Sequence, residues 1–167
     1  MLSDADELIR KHGATGVLVD ANMLLVYLVG QLDENLVKYV TPNRAYTADD
    51  FQLVAMMLSQ FKTLIVTPSV LAEVSNLSSK LPEGYRDEFR RLLARLLPTA
   101  AFTERLVELA NVPNGQAFVP FGFTDATIEQ ISAQGVPVFT DDFNLYQLLA
   151  GKNADVFNYN HIRLLAM

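Results

Sequence analysis

The chain has 167 residues, half of them apolar, a net charge of −6, and neither Cys nor Trp. That length suits one domain over residues 1–167, and the apolar share excludes a disordered chain. The missing Cys excludes a disulfide scaffold and thiolate zinc sites. With His12 and His161 as the only imidazoles, any metal or hydrolytic chemistry must rest mainly on carboxylates. The longest unbroken apolar run, residues 23–29, is far short of the roughly 20 residues a membrane helix needs. The start, MLSDADELIRKHG, lacks the basic opening of a signal peptide. A cytoplasmic protein with no membrane partner is expected, and on charge alone a nucleic-acid partner looks disfavoured.

In chain order, a short amphipathic helix capped by Ser3 is predicted to end at Gly13. Residues 16–19 form an apolar, β-branched run that reads as a buried strand. It leads through Asp20-Ala21-Asn22 into a helix over 23–29, stopped at Gly30. A second helical stretch over 33–40 meets a breaker at Thr41-Pro42-Asn43. Thr47 then caps a helix over 48–61, with Asp49 and Asp50 at its positive end. Residues 64–66 are another short strand, and Pro68 opens a helix to about residue 79.

An amphipathic helix follows over 83–97, then one over about 103–110 before the Pro113-Asn114-Gly115 turn. Thr124 is predicted to cap a helix to 133, ended by Gly135. Residues 137–140 read as a third strand leading into a helix to 149, and 155–157 as a last strand. Strands alternating with helices imply a three-layer α/β/α sandwich with a mostly parallel sheet. In such sheets ligands sit beyond the carboxyl ends of the strands.

Acidic residues gather at that edge. Asp20 follows the first strand, Glu73 lies on the helix after the second, and Asp141 and Asp142 follow the third. Asp125 opens the helix leading into that third strand. Each sits amid apolar sequence (LVD, VLAEV, FTDA, FTDD), and no base flanks any of them. Singly each has a plainer reading: Asp20 as a helix cap, Asp141 and Asp142 as a helix cap and its first-turn companion, Asp125 as an early-helix acid complementing the dipole. Glu73, in mid-helix between Leu71 and Val74, has no such role. Together, like charges at this spacing either shift upward in pKa or bind a hard divalent cation, Mg2+ or Mn2+, which prefers oxygen ligands.

Four segments, in order, resemble the PIN-domain ribonucleases: VLVDANMLLVYL, TPSVLAEVSNL, FTDATIEQIS and VPVFTDDFNLYQLL. Together they span about residues 16–149. The resemblance implies a catalytic and metal-binding quartet of Asp20, Glu73, Asp125 and Asp142, with Asp141 as an extra metal carboxylate. Asn22 and Thr140 match the small polar residues that orient ligands and water. It also implies Mg2+- or Mn2+-dependent hydrolysis of RNA, with an antitoxin as partner where the chain is the toxin of a pair. A homodimer is the other assembly considered. The competing reading is a catalytically idle PIN-like module that binds RNA or protein, against which the intact acidic set argues.

For RNA contacts, Arg86, Arg90, Arg91 and Arg95 share one predicted helix and form the candidate phosphate track. The plainer reading pairs them with Glu83, Asp87 and Glu88 on a solvated face, and it is the better supported of the two. Arg10, Lys11 and Arg44 are scattered alternatives. Tyr46, Phe121 and Phe123 are candidate base-stacking aromatics, although aromatics beside apolar neighbours more often belong to the core. A phosphoacceptor role for Asp20 lacks a suitable Lys after a strand, and no G-x-G-x-x-G follows any strand. Setting the quartet aside brings the net charge to −2, so the acidity points to a metal site rather than away from RNA.

Overall fold

The computed structural model describes residues 2–40 and 46–166. Helix α1 (Leu2–His12) precedes strand β1 (Val17–Val19), which enters helix α2 (Ala21–Leu32). Helices α3 (Val37–Val40) and α4 (Ala48–Leu58) lead to β2 (Leu64–Val66). Then come α5 (Pro68–Leu77), α6 (Glu83–Leu96) and β3 (Phe102–Glu104). Helices α7 (Phe118–Phe121) and α8 (Phe123–Ser132) precede β4 (Val138–Thr140). The chain then runs through α9 (Phe143–Gly151) and β5 (Val156–Asn158) to α10 (Tyr159–Ala166).

The five strands form one parallel sheet in the order β3-β2-β1-β4-β5. The chain winds outward from β1 through β2 to β3, then crosses back to β4 and β5. Right-handed crossovers therefore place helices on both faces, as the α/β/α expectation requires. Strands β1, β2 and β4 are three apolar or β-branched residues each and buried throughout, as strands covered on both faces must be. Helix α2 is apolar nearly all round, from Ala21 through Gly30, and packs against α4, α5 and α6. Its position explains its composition: a helix enclosed by neighbours has no solvent face to make polar.

The structure corrects four predicted boundaries. The helix expected over 103–110 is absent: residues 102–104 instead pair with β2, Leu64 opposite Phe102 and Val66 opposite Glu104. A short, charged edge strand is decided by its neighbour rather than by its own pattern. A 3-10 turn, Leu109–Asn114, follows. Gly30 does not stop α2, which continues to Leu32; a Cβ there would stand 2.0 Å from Cδ2 of Phe51, so glycine is needed for the close approach of α4. Thr124 lies inside α8, whose N-cap is Gly122 at φ +100°, a conformation that favours glycine. Ser3 lies in the first turn of α1 rather than before it. The predicted breaker 41–43 and Arg44 fall outside the described residues.

Among the described residues, no helix is long and apolar enough to cross a membrane.

Candidate functional site

Strand order reverses between β1 and β4, and the carboxyl ends of those two strands mark the place where such sheets bind ligands. One residue, Asp20, joins β1 to α2. Its backbone is extended, and its Oδ1 accepts the Met23 N–H at 2.9 Å, so it caps the helix. Its Oδ2 accepts the Asp141 N–H at 3.2 Å from the end of β4. Asp20 is only 6% exposed. Burial first, then the charges of Asp141 and Asp125, push its carboxyl well above the ordinary range, against the Met23 N–H and the Thr140 hydroxyl.

The β4 end is built in the same way. Thr140, fully buried, accepts the Asp142 N–H at 3.0 Å. Asp142 caps α9, its Oδ1 accepting the N–H groups of Asn144 at 2.7 Å and Leu145 at 3.1 Å. Asp141 is fully buried; its Oδ1 accepts from Asn22 Nδ2 at 3.3 Å and its Oδ2 from the Tyr46 hydroxyl. The capping reading of Asp20 thus holds, while at the β4 end the cap is Asp142 and Asp141 precedes it; capping leaves oxygen lone pairs for other partners.

Two helices bring the remaining acids. Thr67 caps α5 through the Val70 N–H at 3.1 Å, with Pro68 at the first helical position. The Ser69 hydroxyl bridges to the Thr127 hydroxyl of α8 at 2.9 Å, pinning the two helices together. Glu73 is one turn beyond Ser69, and Asp125 stands just before Thr127. Asp125 is pushed up to about 7, by burial first and then by the charges of Asp142 and Glu73. The quartet is therefore one electrostatic unit: Asp125 feels Glu73 and Asp142, and Asp20 feels Asp125. Among the described residues, no Lys, Arg or His stands within 4.0 Å of the carboxylates of Asp20, Glu73, Asp125 or Asp142.

Among the described residues, no three His, Asp or Glu side chains form a ready-made metal cage. The four acids share this edge and act on one another's charge. A groove of about 390 Å3 lies elsewhere, between α1, α4 and α10, lined by Ile9, Leu53, Met57, Tyr146 and His161 among others, and none of the quartet forms its wall. Its size does not make it the reactive centre, since the charged chemistry lies at the switch point.

Helix α6 exposes Arg86, Arg90, Arg91 and Arg95. Arg90 pairs with Asp87 at 3.1 Å, and Arg86 donates to the Leu81 carbonyl at 2.8 Å, which favours the solvated-face reading for those two. Tyr46, weighed as a base-stacking residue, is 1% exposed and belongs to the core, while Phe121 and Phe123 are 37% and 45% exposed. Lys11 pairs with Asp155 at 2.6 Å. The residues that sequence reasoning missed are Asn160, whose Nδ2 donates to the Asp141 carbonyl at 2.8 Å, and the hydrogen-bonding role of Tyr46. Neither carries a motif. Comparison with known protein families, characterised proteins and solved structures finds no match.

Proposed function

We propose that the chain is a metal-dependent endoribonuclease of the PIN type, acting on RNA in the cytoplasm. The observation that carries this reading is the electrostatic state of the switch-point acids. Two carboxyls are pushed upward, Asp20 by burial and the charges of Asp141 and Asp125, and Asp125 by burial and the charges of Asp142 and Glu73, with no Lys, Arg or His among the described residues within 4.0 Å of either. The donor set is all oxygen, which suits Mg2+ or Mn2+ and no softer ion. Asp20, Glu73, Asp125 and Asp142 would hold it. Such an ion, when bound, neutralises phosphate charge and acidifies a water for in-line attack.

The chain's own residues have separable tasks. Asp20 is held in one orientation by the N–H groups of Met23 and Asp141, so it presents a fixed carboxylate to the edge. Asp142 spends Oδ1 on capping α9 and keeps its other oxygen for the site. Asp125, raised to about 7 by burial and its acidic neighbours without a cation, would be ionised beside a bound cation, and whichever of Asp125 and Asp142 is not fully used as a ligand would take the proton of the attacking water. The four segments resembling the PIN family lie at these same strand ends, which adds to the reading.

Cleavage of single-stranded and hairpin RNAs with added Mn2+ tests it. Activity is expected with the wild type, and at least 100-fold less with Asp20→Asn and Asp125→Asn. Mn2+ is also expected to raise the melting temperature of the wild type and scarcely that of either variant. No cleavage of any RNA together with no metal-dependent stabilisation would overturn the proposal. RNA binding without cleavage would favour the idle binding module.

A further inference from the structure

We infer that Asp141 is a positioning residue, held in place by Tyr46 and Asn160, that fixes Asp20 and Asn22 and does not itself ligate a cation. Its functional half rests on the reading of Asp20 as a cation ligand. Asp141 reaches a different part of the fold through each of its polar groups. Its N–H donates to Asp20 at the end of β1, and its Oδ1 accepts from Asn22 in the first turn of α2. Its Oδ2 accepts from Tyr46, ahead of α4, and its carbonyl accepts from Asn160 in α10.

Asp20 and Asp141 differ in a way that separates their roles. Asp20 accepts a backbone N–H on each oxygen, from Met23 and Asp141, and also the Thr140 hydroxyl at the end of the neighbouring strand. The Asp141 carboxylate accepts from the side chains of Asn22 and Tyr46, and moving Oδ2 onto an ion would disturb its buried hydrogen bond from the Tyr46 hydroxyl. Tyr46 is itself locked. Its ring meets Tyr159 edge-on at 5.9 Å, and Tyr159 meets Phe139 at 6.2 Å in the same manner. The Tyr159 hydroxyl donates to Asp50, which Arg163 also grips, Nε at 2.8 Å and Nη2 at 3.1 Å. Because a carboxylate only accepts, Asp141 forces Asn22 to turn its amide nitrogen inward, which leaves the Asn22 carbonyl as the free end of that amide. Tyr46 and Asn160 therefore act on the orientation of Asp20 and Asn22 through Asp141.

The test compares Tyr46→Phe, Asp141→Asn and Asp20→Asn, using two measurements. In metal-free protein, the side-chain amide resonance of Asn22 is expected to shift in Tyr46→Phe while amides far from the site stay in place. An unmoved Asn22 resonance overturns the inference. Mn2+ binding, read by water-proton relaxation, is expected to weaken more than 30-fold in Asp20→Asn but less than threefold in Asp141→Asn. A loss in Asp141→Asn equal to that in Asp20→Asn makes Asp141 a ligand and overturns the inference. Should Asp141→Asn fail to fold, Tyr46→Phe, which keeps the ring, is expected to bind Mn2+ within threefold of wild type, with turnover about tenfold lower and KM unchanged; loss of Mn2+ binding there overturns the inference. Should the wild type bind no Mn2+, the cation reading of Asp20 fails by itself. The Asn22 resonance then still decides whether Asp141 positions its neighbours.

Discussion

The protein buries or partly buries carboxylates in two contrasting ways. Asp50, Glu129 and Asp155 each meet a cation: Arg163 for Asp50, Lys152 for Glu129, and Lys11 with His12 for Asp155. Glu129 also accepts the N–H groups of Gln116 at 3.0 Å and Ala117 at 2.8 Å, tying the segment ahead of α7 to α8. Among the described residues, Asp20 and Asp125 meet no cation, and the charges acting on them are those of other acids. Folding energetics explain the first group, since a buried charge needs a partner. They do not explain the second, which is less comfortable than a neutral replacement would be. Discomfort confined to the sheet's switch point is what a ligand site looks like before its ligand is considered.

The sharpest break in this contrast comes from removing a cation from the paired group. Arg163→Met would leave Asp50, 4% exposed, with only hydroxyl and N–H donors from Tyr159 and Thr47. Unpairing a buried carboxylate costs about 3 kcal/mol, to be read from urea unfolding midpoints at pH 7. Because α10 also carries Asn160, the same variant should disturb the Asn22 amide. A milder loss, about 2 kcal/mol by the same principle, is expected for Lys152→Met. Glu129 keeps its two backbone donors there, so only part of its support goes. If either variant unfolds at the wild-type midpoint, pairing is not what sustains the buried acids, and the contrast fails.

How far each group was legible from sequence follows from the range of its interactions. The switch-point acids stood out because Asp20 follows β1 by one residue and Asp142 follows β4 by two, so a local pattern locates them. Strands β1, β2 and β4 were legible for the same reason, being dense apolar runs. Strand β3 was not: its phenylalanine, threonine and glutamate are mostly exposed, and only Leu64 to Val66 on the neighbouring strand make them a strand. The paired acids were illegible in kind. Asp50 looked like a dipole acid on α4, yet its cation lies 113 residues away, and Tyr46 lies 95 residues from Asp141. Nothing in spacing or composition links such positions; the packing of α10 against α4 brings Arg163 to Asp50, and only the tertiary fold brings Tyr46 to Asp141.

The smallest expected effect is the most telling, because its sign is opposite in the two groups. Burial raises the carboxyl of Glu129, but the Lys152 ammonium and the Ala117 and Gln116 N–H groups outweigh it, so its pKa lies below the ordinary value. The stability it contributes is present at neutral pH and is lost as pH falls through that lowered pKa. Asp125 runs the other way. From its ordinary value of 3.8 up to about 7, the folded protein keeps a proton that the unfolded chain has released. Metal-free stability therefore falls as pH rises through that window and levels off above about 7. Asp125→Asn removes that dependence. The variant should match the wild type near pH 4 and exceed it by about 1 kcal/mol at pH 8, the carboxylate being partly solvated. Urea unfolding at the two pH values, with chelator present, measures the difference. A variant less stable than the wild type at pH 8 would mean that Asp125 has a partner in the fold, and the quartet would then be a structural network rather than a site awaiting a cation.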